Sequence, residues 1–405
     1  MKFNFFVVNG NSYLEAVFED SDHRSSLRLE GEGVSITNKN PLVFFDKDYS
    51  DVHPDIIALA CLCIFYPFIG KEVTFPKPVT ERIAVSINRP IFTKSKTITV
   101  RNINRDLNSY QGEFGEILAF GGGMDSSAIR ATFPEAHIVH EASIKNGFLV
   151  KDLTNDLTAR LEKKSRATLV RTNSRFISDP GGWHVWTGSI VTSLLEAGKR
   201  RAKYIYSGTI LGSAFMSNGS KFFDRHSSVK WHGISGNYWQ QIFWDIGLPL
   251  VQPLMGCSEI LTMKATVKKL RQEEVFYCTK LDGDACGRCP KCFRRRCISD
   301  YVLAQQSDFS VFDNTEVHQV LNKRPLYFGH IYSALMANGW APPSFIKEKI
   351  DFLPRYDFAL KYYEGSLEFI PEELRSKVHD VLSSEFEPMT AKNVEQMKSW
   401  DQSNF

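Results

Sequence analysis

At 116–132 the chain reads EILAFGGGMDSSAIRAT. A short apolar run, three glycines and an amphipathic stretch closed by Pro134 predict a strand over 116–120, a tight loop, and a helix over 125–132. That order restricts the fold more than any other feature of the sequence. A strand entering a helix through glycines is either a hinge or an anion cradle. In a cradle, successive backbone N–H groups and the helix N-terminus point at one ligand. Glycine permits the close backbone approach and any left-handed conformation the loop needs. The cradle reading is preferred here to a plain glycine turn. It makes Gly121, Gly122, Gly123, Asp125, Ser126 and Ser127 the candidate ligand-binding residues of the loop.

The rest of the middle of the chain agrees. AHIVHEAS (136–143), ATLVRTN (167–173), KYIYSGT (203–209) and LPLVQPLM (248–255) read as further strands separated by helical stretches. One of those stretches carries Leu149, Leu153, Leu157 and Leu161 in a stripe, and another carries Ile190, Val191, Leu194 and Leu195. Strands alternating with helices predict a parallel sheet covered on both faces, with ligands beyond the carboxyl ends of its strands. Ser207 and Gly208 stand at one such end.

The expected class is therefore α/β. Residues 111–275 would form a five-stranded parallel domain, after an N-terminal α+β domain at 1–110. Within that first region FNFFVV, YLEAVFE, SSLRLEG, ERIAVSIN and KTITVRNIN read as strands, around a buried helix at 55–66. Residues 301–405 read as helical, and the closing NVEQMKSWDQSNF is expected to fray.

Residues 276–300 hold Cys278, Cys286, Cys289 and Cys292, spaced C-x7-C-x2-C-x2-C. Four thiols at this density suit tetrahedral Zn²⁺ better than an iron–sulfur cluster or disulfides, and Gly287 allows a tight knuckle. A closed set of four ligands is structural rather than catalytic. Reduced cysteines at metal spacing point to a cytoplasmic protein. The longest apolar run, at 56–70, contains Pro67 and is shorter than the roughly 20 residues a bilayer requires, so no membrane partner is expected. A net charge of +3 gives no case for nucleic acid as the favoured partner.

The glycine loop excludes two common nucleotide folds. It has no Gly-Lys-Ser/Thr ending and no G-x-G-x-x-G fingerprint. Asp125 inside an anion nest is unfavourable by charge alone. It is explained either by N-capping or by holding Mg²⁺, and the sequence leaves both open.

On these residues the chain resembles the PP-loop ATP pyrophosphatases, or adenine nucleotide alpha hydrolases, whose loop reads S-G-G-x-D-S. Gly122, Gly123, Asp125 and Ser126 match, and Gly121 replaces the first serine. The resemblance implies a HUP-like sheet and ATP with Mg²⁺ as ligands. It also implies attack on the α-phosphorus, with Asp125 and Ser126 catalytic, to give an adenylated carboxylate and pyrophosphate. Ser207-Gly208-Thr209 would lie near the nucleotide, and the strand at 137–143 would flank the adenine.

Two branches are similar. Cyano-deazaguanine synthases carry a cysteine knuckle followed by an arginine-rich helix start, here Phe293-Arg294-Arg295-Arg296. The ATP-dependent muramoyl-L-alanyl-L-glutamate epimerase has a front domain, three glycines and a Ser-Glu pair, here Ser258-Glu259. Met124 departs from the lysine of that epimerase. The deazaguanine synthases also carry a lysine soon after the fifth-strand Pro-Leu. Here Pro253-Leu254 is followed first by Lys264, so Lys264 or an arginine is expected to replace it.

The implied partner is a small carboxylic substrate. The alternatives are a tRNA-sulfurating enzyme using Cys257, with Cys297 as its partner thiol, and a non-catalytic nucleotide-binding component of a bacterial defence system. His140, His226 and His232 are candidate bases, and Trp183, His184 and Trp186 candidate packing for a planar substrate.

Overall fold

The computed structural model describes residues 1–27, 33–88, 97–150, 160–161, 163, 166–181, 186–225, 237–270 and 286–405. They fall into two compact units. The first is 1–121, 135–206 and 229–250, and the second is 122–134, 207–228 and 251–405.

The strands in chain order are β1 Lys2–Val8, β2 Asn11–Val17, β3 Ser25–Leu27, β4 Gly33–Ser35 and β5 Leu42–Phe45. Then come β6 Glu72–Val73, β7 Thr99–Val100, β8 Phe114–Ala119, β9 His137–Lys145 and β10 Phe148–Leu149, followed by β11 Ala167–Thr172, β12 Ala202–Tyr206 and β13 Leu250–Val251. The main sheet runs β1-β2-β5-β11-β9-β8-β12-β13, with β10 paired to β9. Its central pairs β11–β9, β9–β8 and β8–β12 are parallel. The α/β class with a largely parallel sheet is thus present.

The sheet is larger than the five parallel strands expected. The N-terminal strands do not form a separate layer: β5 adds antiparallel to β11, β2 to β5 and β1 to β2. An uncovered β11 would expose a row of unpaired backbone groups, and β5 takes that edge. The junction is fixed by side chains as well. Asp46 accepts the Arg171 N–H at 2.7 Å, and Asn173 accepts the Phe44 N–H at 2.7 Å.

Helix α1 (Pro54–Phe65) is buried along its whole length from Asp55 onward, as its unbroken apolar sequence requires. Asp55 escapes the cost of burial by accepting from both the backbone N–H and the hydroxyl of Thr80, at 2.9 and 2.6 Å. The segment ERIAVSIN, expected as a strand, is helix α2 (Glu81–Ile87). Ile83, Val85 and Ile87 mimic alternation, but the buried positions are 83, 86 and 87, and Val85 is exposed. The helical period wins because only that face reaches the core. Leu149 lies in β10, paired with Ile144, instead of opening a helix. Leu153 and Leu157 lie outside the described residues.

The second unit begins with helix α3 (Met124–Thr132) and is otherwise mostly helical among the described residues. The fraying expected at the end of the sequence does not occur. The last long helix, Ala391–Lys398, starts with a capping box between Thr390 and Asn393. Trp400 is almost fully buried, and its indole N–H donates to the Gly219 carbonyl at 3.0 Å. Gln402 donates to the Gly219 and Leu326 carbonyls and accepts the Leu326 N–H. No helix among the described residues is long and apolar enough to cross a membrane.

Two measurements test these packing assignments. Trp400→Ala should cost about 3–5 kcal/mol in denaturant unfolding, by cavity formation and loss of the indole hydrogen bond. A freely fraying tail would leave the midpoint unchanged. The second concerns Glu141 on β9, whose carboxyl is pushed up to about 8 by burial, against the opposing pull of Arg175 and Ser143. The folded state holds this proton more tightly than the unfolded state. Its contribution is therefore complete below about pH 4.5 and is lost as pH rises through about 8. Glu141→Gln should flatten that decline in a series of urea midpoints across the same window.

Candidate functional site

The site is built on four short pieces of the second unit: Gly122 and Gly123 with the start of helix α3, the turn at 207–209, and the first turns of two further helices. Gly122 sits in the left-handed region at φ +74°. Gly123 is the N-cap of α3 and has no side chain with which to cap that helix. The capping role open to Asp125 is therefore not the one it takes. Asp125 is the second residue of the helix and accepts a hydrogen bond from the Thr262 hydroxyl at 3.2 Å. Ser126 Oγ donates to the Gly123 carbonyl at 3.1 Å. Ser127 is fully buried, and its hydroxyl has no partner among the described residues. Gly121 precedes them, exposed, with nothing within 4 Å of where a Cβ would stand.

The turn at 207–209 closes against this first helical turn. A Cβ on Gly208 would lie 3.0 Å from the Ser126 nitrogen and 3.2 Å from the Asp125 carbonyl carbon. A Cβ there would require the backbone of α3 to give by a few tenths of an ångström, so the present spacing between turn and helix suits glycine. Ser207 is held by its N–H to the Val251 carbonyl at 2.9 Å. Loop and turn, read separately from the sequence as ligand-facing, are thus in contact.

Thr262 belongs to α7 (Glu259–Lys269), which starts at a true side-chain cap. Ser258 Oγ accepts the N–H groups of Ile260 and Leu261 and donates to the Ala359 carbonyl. Glu259, in the first turn, meets Arg294 in a two-pronged pair with N···O distances of 2.6 and 2.9 Å. Both side chains are largely buried, at 13% and 11% exposure for Arg294 and Glu259. The guanidinium carbon also lies 3.6 Å from the Phe328 ring centre. (Helices α4, α5 and α6 are Val191–Lys199, Leu211–Ala214 and Asn237–Asp245.)

Arg294 is carried by α8 (Pro290–Leu303), whose N-cap is Cys289. Cys286, Cys289 and Cys292 bring their sulfurs within 4.8 Å of one another, and Cys286 and Cys292 are 3.7 Å apart. Gly287 turns the chain between them at φ +70°, a conformation that favours glycine. Three converging thiols could hold a metal ion, and the donor set is compatible with zinc. Cys278, the fourth expected ligand, lies outside the described residues, as do Trp183, His184, His226 and His232.

Charge at the site follows from these helices. Burial, and then repulsion from Glu259, hold the Asp125 carboxyl above the ordinary carboxylate range, while Arg295 and Lys291 pull it down. Arg294 holds Glu259 below that range in spite of burial. Burial and then Arg295 keep the Lys291 ammonium below the ordinary lysine range. The three consecutive arginines have different fates. Arg294 is paired, Arg295 is buried beside Asp125 and Glu259, and Arg296 is exposed and donates to Ser307.

Lys264 does not replace the missing lysine. It stands two residues beyond Thr262, roughly 200° around the helix. There it faces the Tyr301 ring and Glu387, and lines a cavity of about 360 Å³ with Asp357 and Lys361. Lys291 and Thr262 are the residues that sequence reasoning missed. Lys291 had one available signal, its place inside the knuckle directly before the arginines. Cys257 is fully buried, with its thiol pushed up beyond the usual range, and Cys297 is likewise buried. His140 is buried on β9, with Nδ1 2.8 Å from the Phe120 carbonyl.

Comparison with known families gives one match, to the model described as "Family of unknown function (DUF6395)", over residues 238–401. The matched segment contains Glu259, Thr262, Lys291, Arg294 and the three clustered cysteines, but not the glycine loop. No curated protein and no solved structure matches the chain.

Breaking the buried pair tests its weight in the fold. Glu259→Ala should destabilise the protein by about 3–5 kcal/mol in denaturant unfolding, because Arg294 is left buried and uncompensated. Replacing both residues, Glu259→Leu with Arg294→Met, should restore most of that loss. A double variant as unstable as the single one would contradict this account.

Proposed function

We propose that this chain is an AMP-forming enzyme of the PP-loop ATP pyrophosphatase type, which adenylates a small carboxylic substrate. The observation that carries the reading is the first turn of α3, whose N-cap is a glycine and against which Gly208 packs. Its first-turn N–H groups, with those of Gly122 and Gly123, suit the pyrophosphate part of ATP. The Ser126 and Ser127 hydroxyls and the Ser207-Gly208 turn flank the same ligand. Asp125 is suited to Mg²⁺, because a carboxylate among phosphates is tolerable only when a cation lies between them. Lys291 and Arg295 offset the remaining negative charge.

In the proposed reaction a substrate carboxylate oxygen attacks the α-phosphorus. The bond from that phosphorus to the bridging oxygen breaks, and pyrophosphate leaves with the electron pair. The protein's part is to orient the two reactants and to stabilise charge on the leaving group. The sulfuration alternative needs an accessible thiolate, and the full burial of Cys257 gives it no support.

The test is incubation with Mg-ATP and candidate carboxylates (deazaguanine carboxylate and muramoyl dipeptide, with tRNA as control) while AMP and pyrophosphate are followed. One carboxylate should drive release of both, and Asp125→Asn should slow it at least about a hundredfold. Nucleotide binding without AMP from any substrate would favour the non-catalytic reading. AMP release unchanged by Asp125→Asn would sink the proposed role of the loop.

A further inference from the structure

We propose that the open edge of β1 is a homodimer seam, where β1 pairs antiparallel with β1 of a second copy about a two-fold axis at Phe6. β1 is an end strand of the main sheet, and its inner side pairs with β2 over Lys2–Val8. The chain just after β6 meets its outer side only at the start. There Phe3 N–H donates to the Thr74 carbonyl, and Thr74 N–H to the Met1 carbonyl, both at 2.9 Å. In an antiparallel pair the backbone groups of alternate residues point to opposite sides. Phe3 points outward, so Phe5 and Val7 do as well. On that side neither of them makes a hydrogen bond among the described residues.

Edge strands are ordinarily guarded by a charge, a proline or a bulge. The run FNFFVV at 3–8 has no charge and no proline, and its register on β2 is unbroken. Phe6 and Val8 share one sheet face and are 41% and 47% exposed. On that face Phe6 stacks on Tyr13 with ring centres 5.4 Å apart, and Tyr13 meets Phe44 at 5.6 Å. The row of rings crosses β5, β2 and β1 and ends at the half-exposed Phe6.

A second copy continues all of these features. With Phe5 opposite the second copy's Val7, the two residues exchange both N–H···O=C bonds, and the two-fold axis repeats the exchange. Phe6 then faces its own counterpart at a non-hydrogen-bonded position, where side chains lie closest. The aromatic row runs on across the axis. Charge complementarity favours the same occupant. Lys2 is the one charged side chain of β1, and in this register it faces the second copy's Gly10, so no like charges oppose each other along the seam. The pairing uses the edge of each copy and closes there. A seam of one short strand buries less than a standard interface, so the dissociation constant is expected on the order of 10–100 μM.

Sedimentation equilibrium of the full chain, from about 1 to 500 μM, should show the wild type passing from monomer to dimer. Phe6→Lys and Phe6→Glu each lose the ring pair and set like charges against each other, so each should raise the dimer Kd about tenfold or more. Because the axis brings position 6 against itself, an equimolar mixture of the two variants should associate at least about tenfold more tightly than either alone. Val7→Pro removes an outward N–H from each copy and leaves the pairing with β2 in place. It should also weaken the dimer about tenfold or more. Phe6 is half-exposed and the Val7 N–H is unused within the fold, so circular dichroism should match the wild type for every variant. A wild type that stays monomeric at the highest concentration would overturn the proposal. A dimer left intact by both Phe6→Lys and Val7→Pro would overturn it too, by placing the interface elsewhere. Variants that dissociate singly but do not associate when mixed would overturn the axis at Phe6 and with it the pairing.

Discussion

A guanidinium removed from water must be given a carboxylate of matching shape, and the geometry of the second unit follows from how Arg294 meets that demand. Glu259 supplies both oxygens, and Phe328 covers the planar face. Phe328 itself sits at φ +59°, a conformation that costs a bulky residue roughly 1–2 kcal/mol. Its ring nonetheless stays where the guanidinium needs it. Such a pair adds little net stability over an apolar substitute, but it is intolerant of misplacement. Its importance is directional. It fixes the first turn of α7 against the first turn of α8, and Thr262, one turn along from Glu259, is thereby aimed at Asp125.

The electrostatics of Asp125 depend on that arrangement. Desolvation and the neighbouring Glu259 both favour the protonated acid, and Arg295 and Lys291 oppose them. Glu259 remains ionised because Arg294 holds it so, which keeps a negative charge close to Asp125. The carboxyl is thus left between burial and one acid on one side and two cations on the other. A group in that position responds strongly to any additional cation, since each of the opposing influences acts through a poorly solvated environment.

Much of this was legible in the sequence, but unevenly. The strand–glycine–helix succession and the cysteine spacing are local patterns, and local patterns survive folding. The contact of Gly208 with Asp125 and Ser126 joins segments about eighty residues apart, yet both ends were marked by glycine and serine at strand ends. Long-range partners left no such mark. Nothing near Thr262 announces that its hydroxyl meets Asp125. Lys264 was singled out for its closeness in sequence to the fifth strand, which is a poor guide to direction around a helix. The ERIAVSIN segment failed for a related reason, since five residues of period two fit one helical turn nearly as well. The tail failed because polarity was read as exposure, whereas Trp400 and Gln402 spend their polar atoms on buried carbonyls.

Gly121 remains the place where the loop departs from the family pattern it resembles. Nothing lies within 4 Å of a Cβ there, and its φ is not in the left-handed region, so neither packing nor backbone geometry demands glycine. A serine would fit. What the position lacks is therefore a hydroxyl donor, without a steric gain in exchange. In the proposed site that donor is one among several. The backbone N–H groups are present whatever the side chain, and Ser126 and Ser127 follow. An anion held chiefly by backbone N–H groups loses little when one loop hydroxyl is removed.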